Sequence, residues 1–121
     1  MAAFPGLQAL VVLGGSRTAE LSLQITTTRG GVDVVVTGGK PLDSALQLDL
    51  ARTVEAHGFS RLTWNGETIA LRDRPVHRFG VASVVPPAGA FLQATEAGEA
   101  ALLAGVTAAL GAQKRVADLF A

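Results

Sequence analysis

The stretch Glu20-Leu21-Ser22-Leu23-Gln24-Ile25-Thr26-Thr27-Thr28-Arg29-Gly30-Gly31-Val32-Asp33-Val34-Val35-Val36-Thr37 decides the fold. Over residues 20–27, Leu21, Leu23 and Ile25 point one way while Ser22, Gln24 and Thr26 point the other, the period-2 pattern of a sheet with one wet face. Arg29-Gly30-Gly31 turns the chain. The β-branched run 32–37 then pairs antiparallel with the preceding strand across that short loop. Upstream, Leu7-Gln8-Ala9-Leu10-Val11-Val12-Leu13 is an apolar run ended by Gly14-Gly15, and its bounding turn residues predict a buried strand. These three segments together predict a three-stranded meander.

Downstream of Gly38-Gly39-Lys40-Pro41 the period changes. Leu42, Leu46, Leu50 and Val54 are spaced by four, with Ala45 and Leu48 widening the stripe, as on one face of a helix. Ser44 and Gln47 are placed as a capping box, and Gly58 suits the left-handed residue just past the helix end. Arg61-Leu62-Thr63-Trp64, Asn65-Gly66 and Glu67-Thr68-Ile69-Ala70-Leu71 form a hairpin signal, because Asn-Gly accepts the two positive φ angles of a type I′ turn. Trp64 and Ile69 belong to its core side. Residues 79–85 predict a further strand that must stop at Pro86-Pro87, since proline donates nothing to a ladder. Thr95 is placed as N-cap of an Ala-rich helix carrying Ala101, Leu102, Val106 and Leu110 and ended by Gly111. Gly98 and Gly105 each weaken that helix by about 1 kcal/mol relative to alanine. Lys114-Arg115-Val116-Ala117-Asp118-Leu119-Phe120-Ala121 then reads as a buried strand on which the chain stops without a polar tail, which looks cut. The expected class is α+β, with a mixed, mainly antiparallel sheet and two main helices.

At 121 residues and 49% hydrophobic the chain has the length of one domain and material for a sizeable core. Ten Lys+Arg against ten Asp+Glu give zero formal charge. A general polyanion binder is therefore not expected, and any basic footprint must be local. The absence of cysteine excludes disulfides, thiolate metal sites and a cysteine nucleophile within these residues, and fits a cytoplasmic protein. Met1-Ala2-Ala3-Phe4-Pro5-Gly6 lacks the charged region of a signal peptide, and no apolar run approaches the ~20 residues that cross a bilayer.

Most residues with chemical potential have an ordinary structural reading. His57 stands at a helix C-terminus, where a cationic imidazole favours the dipole. His77 lies among Arg72, Arg74 and Arg78, a run whose default is a solvated loop and whose alternative is a phosphate-contacting patch. No serine sits in a Gly-x-Ser-x-Gly turn, no His or carboxylate pair has metal-ligand spacing, and the glycine pairs 14-15, 30-31 and 38-39 serve turns. Two features stand out. Phe91 and Gln93 lie two residues apart just before a helix, an aromatic able to stack on a base or adenine and an amide able to read a polar edge. A helix, a Gly turn and Asp118-Leu119-Phe120-Ala121 follow, in the way the first strand of a nucleotide-binding α/β domain begins.

Taken together, Gly89-Ala90-Phe91-Leu92-Gln93-Ala94-Thr95, the helix to Gly111 and Asp118-Leu119-Phe120-Ala121 resemble the bacterial RNA (uracil-C5-)methyltransferases, which make 5-methyluridine in ribosomal and transfer RNA with S-adenosylmethionine. That family carries Phe-x-Gln-x-Asn, a helix, and a strand ending Asp-Leu-Phe-Cys-Gly-x-Gly. Thr95 stands here where the family has Asn, and Ala121 where many members have Cys. Asp33-Val34-Val35-Val36-Thr37-Gly38 and Arg61-Leu62-Thr63-Trp64 match the family's central region more loosely.

The resemblance implies a central α+β domain over residues 1–90 and the start of a Rossmann-like methyltransferase domain over 91–121. It implies that Gln93 and Phe120 contact S-adenosylmethionine and that Phe91 lies near the pocket of a flipped-out uridine. The family's cysteine nucleophile and carboxylate base lie downstream of this region, so the chain alone is expected to be inactive. The family's OB-like RNA-binding domain and cysteine-rich region are likewise not among these residues. The alternative is a non-catalytic binding or self-association module, dimerising through pairing of its apolar C-terminal strand with a second copy.

Overall fold

The computed structural model describes residues 3–93 and 95–119 and divides the chain into two compact units, Met1–Ala90 and Phe91–Ala121. In the first unit the order is α1 (Phe4–Gly14), β1 (Leu21–Thr28), β2 (Gly31–Gly38), α2 (Ser44–His57), β3 (Phe59–Trp64), β4 (Glu67–Leu71), β5 (His77–Phe79) and β6 (Ala82–Val84). The second unit holds α3 (Glu96–Leu110). The class is α+β, with three helices among the described residues where two were expected.

The main sheet has the order β1-β2-β3-β4 and is mixed. The pairs β1–β2 and β3–β4 are antiparallel hairpins, and β2–β3 is parallel, joined through α2. A bulge makes this central pairing work: Val32 pairs with Phe59 but Asp33 with Arg61, so Ser60 is the extra residue. Phe59 and Leu62, three apart, can then both enter the core although a regular strand alternates every residue. The Asn65-Gly66 turn has φ of 48° and 87°, as a type I′ hairpin requires. Asn65 also binds the end of β2, its Oδ1 accepting from Gly38 N at 2.7 Å and its Nδ2 donating to Gly38 O at 3.1 Å.

The core lies on one face of the sheet, where Leu10 of α1 and Leu46, Leu50 and Val54 of α2 meet Val34, Val36, Phe59, Leu62 and Trp64. The spacing-by-four stripe places α2 as expected, and Gly58 ends it at φ 66°. Its cap is Asp43, not Ser44: the Asp43 carboxylate accepts from Leu46 N at 2.7 Å, which makes Ser44 the first helical residue.

The segment expected as a first strand is helix α1, so the meander reduces to the β1–β2 hairpin. An unbroken apolar run carries no period of its own, and here the glycines supply it. Gly6, Leu10 and Gly14 are its buried residues, four apart on one side, and Pro5 sits in the first turn where its missing N–H costs nothing. Each glycine leaves room for a ring, since a Cβ on Gly14 would strike Trp64 and one on Gly6 would strike Phe59. Lys40 closes the helix, its Nζ donating to Leu13 O at 2.9 Å.

Two further expectations are corrected. The strand expected over 79–85 is a hairpin, β5–β6, because Gly80 at φ 56° reverses the chain within it. Residues 114–119, expected as a buried strand, are exposed and carry no strand, while Phe120 and Ala121 lie outside the described residues. Among the described residues none of 114–119 pairs in either sheet. Thr95 does cap α3, its Oγ1 accepting from Gly98 N at 3.0 Å, and Gly111 follows its end.

Candidate functional site

The sheet face away from the helices is where buried polar chemistry collects. Alternation along β2 sends Val34 and Val36 into the core and therefore Asp33 and Val35 outward. The bulge at Ser60 brings Arg61 opposite Asp33 on that same face. Arg61 binds Asp33 bidentately, Nε to Oδ1 at 2.9 Å and Nη2 to Oδ2 at 2.6 Å, with 9% and 6% of the two residues exposed. Fork-to-carboxylate geometry is the strong form of this pair, and the Asp33 hydrogen bond holds the Arg61 pKa above its ordinary value against the opposing pull of burial.

Arg61 has a third contact that ties this pair to the segment after β6. Its Nη2 donates to Pro86 O at 3.1 Å, and Gln24 Nε2 reaches Ala90 O at 3.5 Å. Gly89, at φ 76°, lies near Gln24 and Val35 in the same stretch. Residues 86–90 thus lie across the outer face of the sheet, held by Arg61 at one end and Gln24 at the other. Pro86 and Pro87 suit such a strap, because they stiffen it and present carbonyl acceptors without donors of their own. In the same strand as Arg61, Ser60 Oγ and Thr63 Oγ1 are buried without a hydrogen-bond partner among the described residues.

The strap runs directly into Phe91. Phe91 is 83% exposed and Gln93 is exposed, on irregular chain ahead of the Thr95 cap. Phe120, the second expected cofactor contact, lies outside the described residues. His57 takes the structural place expected of it, in the last turn of α2 with its ring 6.3 Å from that of Phe59. An open groove of about 550 Å³ is lined by Phe4, Leu7, Gln8, Val11, Val12, Leu23 and Ile25 and offers no titratable group. No group of three or more His, Asp or Glu able to hold a metal occurs among the described residues. No helix among them is long and apolar enough to cross a membrane.

Sequence reasoning missed the Asp33–Arg61 pair as a unit. The available signal was an aspartate inside a run of valines and an arginine opening a strand that ends in tryptophan, opposite charges set where apolar residues are the rule.

No protein-family profile matches the chain, and no solved structure matches it. Similar proteins do exist among bacteria. Over all 121 residues the chain is 40% identical to a protein of Mesorhizobium japonicum named as an uncharacterized RNA methyltransferase, of which it covers 29%. A protein of the same description from Agrobacterium fabrum is 32% identical over 118 residues, 97% of this chain and 28% of that protein. One from Caulobacter vibrioides is 37% identical over 103 residues, 82% of this chain and 25% of its own length. From end to end, then, the chain is similar to one stretch, less than a third of the length, of proteins named as RNA methyltransferases.

Proposed function

We propose that this chain is a segment of an S-adenosylmethionine-dependent RNA (uracil-C5-)methyltransferase, an enzyme that methylates C5 of a uridine in ribosomal or transfer RNA. The observation that carries the reading is the 40% identity, over the whole chain, to a protein named as an RNA methyltransferase. The uracil-C5 type rests on the resemblance of Phe91-x-Gln93 and Asp118-Leu119-Phe120-Ala121 to that family. In this reading residues 1–90 form a central domain and residues 91–121 begin the methyl-transfer domain.

An exposed ring and an exposed amide two residues apart fit part of a wall for an adenosyl group or a base, one to stack and the other to donate and accept. Gln93 and Phe120 are assigned to the cofactor and Phe91 to the extruded uridine, which must leave its stack for C5 to be reached. When bound, S-adenosylmethionine supplies the methyl group from its sulfonium. The chain contains no cysteine, so the nucleophile that adds to C6 is not among these residues. The Asp33–Arg61 pair holds the strap from which the Phe91-x-Gln93 segment departs.

The test begins with the native reading frame beyond Ala121. A Gly-x-Gly turn followed by a cysteine and a carboxylate is expected, and a stop codon would overturn the reading. The full-length protein is expected to transfer labelled methyl to C5 of uridine, and the 121-residue chain to transfer none. In the full-length protein Gln93→Ala should raise the KM for S-adenosylmethionine more than it lowers kcat.

A further inference from the structure

At one end of the main sheet two separate stretches of chain are fastened together. The β1–β2 turn and the loop after β4 meet where Arg29 N donates to Val76 O at 3.1 Å and where Gly30 lies so close to the Arg74 carbonyl that a Cβ would collide with it. Pro75 between them is fully buried. The start of the loop is fastened as well, with Arg72 N and Asp73 N both donating to Ser60 O, at 2.9 and 3.1 Å. This is not a loose polar loop but a backbone bound at three points.

What this fixed backbone displays is basic. Arg29, Arg72, Arg74 and Arg78 are all exposed, four of the ten basic residues of a chain with zero formal charge. Among the described residues Arg72 alone of the four forms ion pairs, with Glu55 at 3.9 Å and Asp73 at 4.0 Å, both at the limit of such a pair. Among the described residues Arg29 and Arg74 form no ion pair. The β5–β6 hairpin adds an aromatic: Phe79 is 40% exposed and braced by His77, ring centroids 4.6 Å apart. Arg78 is held at the same turn, its Nε donating to Gly80 O at 2.9 Å. Arginines on a fixed backbone and an open ring on the adjoining hairpin are the chemistry that binds phosphates and stacks bases along a single strand.

We infer that the Arg29-Gly30 turn and the loop and hairpin of residues 72–80 form a contact surface for the phosphate backbone of single-stranded RNA, with Phe79 as a stacking platform. The inference rests on the RNA reading above and names the surface that meets the substrate. Local concentration of charge in a neutral chain limits the contact to a few phosphates, so binding is weak and its salt slope small, about 0.7 per phosphate.

The test measures fluorescence anisotropy of a labelled short oligouridylate with the 121-residue chain across a salt titration. Arg29→Gln, Arg74→Gln and Arg78→Gln combined should lower affinity about ten-fold at low salt and reduce the slope of log K against log salt by about 2. Phe79→Ala should weaken binding by about five-fold or more with the slope unchanged. Arg17→Gln with Arg115→Gln, a control of equal chemistry elsewhere, should leave both readouts near the parent. Trp64 fluorescence checks that each variant keeps its core.

The inference is overturned if the parent chain does not bind the oligouridylate, if the triple variant keeps affinity and slope, or if the control pair loses as much. Equal competition by polyglutamate would also overturn it and reassign the surface to an acidic protein. Methyl transfer by the full-length protein tests the underlying reading separately. Transfer with an unaltered triple variant sinks only this surface, whereas RNA binding here without transfer sinks only the methyltransferase reading.

Discussion

Helices α2 and α3 are nearly equal in length, 14 and 15 residues, and are bounded by the same devices. Each has a side-chain acceptor at its N-cap, Asp43 or Thr95, and a glycine after its last turn. Yet α2 buries Leu46, Leu50, Thr53 and Val54, and α3 buries nothing, with Leu102, Leu103 and Val106 each more than half exposed. The difference lies in how apolar residues are arranged around each axis. In α2 they form a stripe four residues apart with charge opposite, which fits one sheet face. In α3 alanine, leucine, valine and glycine occupy all sides, so no single face is marked for burial. Capping therefore specifies that a helix forms, and the stripe specifies where it packs.

Substitutions can break this contrast, and the largest effect belongs to the first unit. Arg61→Met should destabilise it by about 3–5 kcal/mol in urea unfolding, because Asp33 is left buried and unpaired. Asp33→Val in the same molecule should return most of that loss, and failure to do so would show that the strap contact to Pro86 carries the energy. Next, Leu50→Ala should cost about 3 kcal/mol, while Leu103→Ala on α3 should change the same transition by less than about 0.5 kcal/mol. An equal loss at Leu103 would erase the contrast. Removing each cap is a smaller test of about 1 kcal/mol. Asp43→Ala should lower the unfolding midpoint of the first unit, and Thr95→Ala should only speed hydrogen exchange at Gly98. Smallest for the molecule as a whole is Gly105→Ala. That site has open space for a Cβ, so α3 should gain up to about 1 kcal/mol of helix stability, read by circular dichroism, with the first unit untouched.

Elements with local signals were legible in the sequence. The β1–β2 hairpin follows from alternation and Gly30-Gly31, the β3–β4 hairpin from Asn65-Gly66, and the ends of α2 and α3 from Gly58, Thr95 and Gly111. Where two local signals competed, the nearer reading lost: Ser44 has a hydroxyl suited to capping, but Asp43 one residue earlier takes the bond. The helix α1 was illegible because its period is written in glycines, and a glycine is read as a turn unless its ring partners, Phe59 and Trp64, are known. Of the candidate site, the Phe91-x-Gln93 motif and the arginine run were visible as residues. That Arg29 joins Arg74, and that Arg61 ties Asp33 to Pro86, depends on contacts between strands and loops far apart in sequence, which no periodicity records.

The central β2–β3 pairing has a kinetic consequence. The two antiparallel hairpins can each close over a short turn, but the parallel join between them spans α2 and must bring together residues separated by the whole helix. Closing that distance precedes the contacts that reward it, so the encounter of the two hairpins is expected to set the folding rate. Val34→Ala, which weakens the join, should mainly slow refolding, whereas Gly66→Ala at the hairpin tip should mainly speed unfolding. A chevron with the opposite division would place the nucleus in a hairpin. With the join as nucleus, α2 serves as the tether whose formation shortens the search.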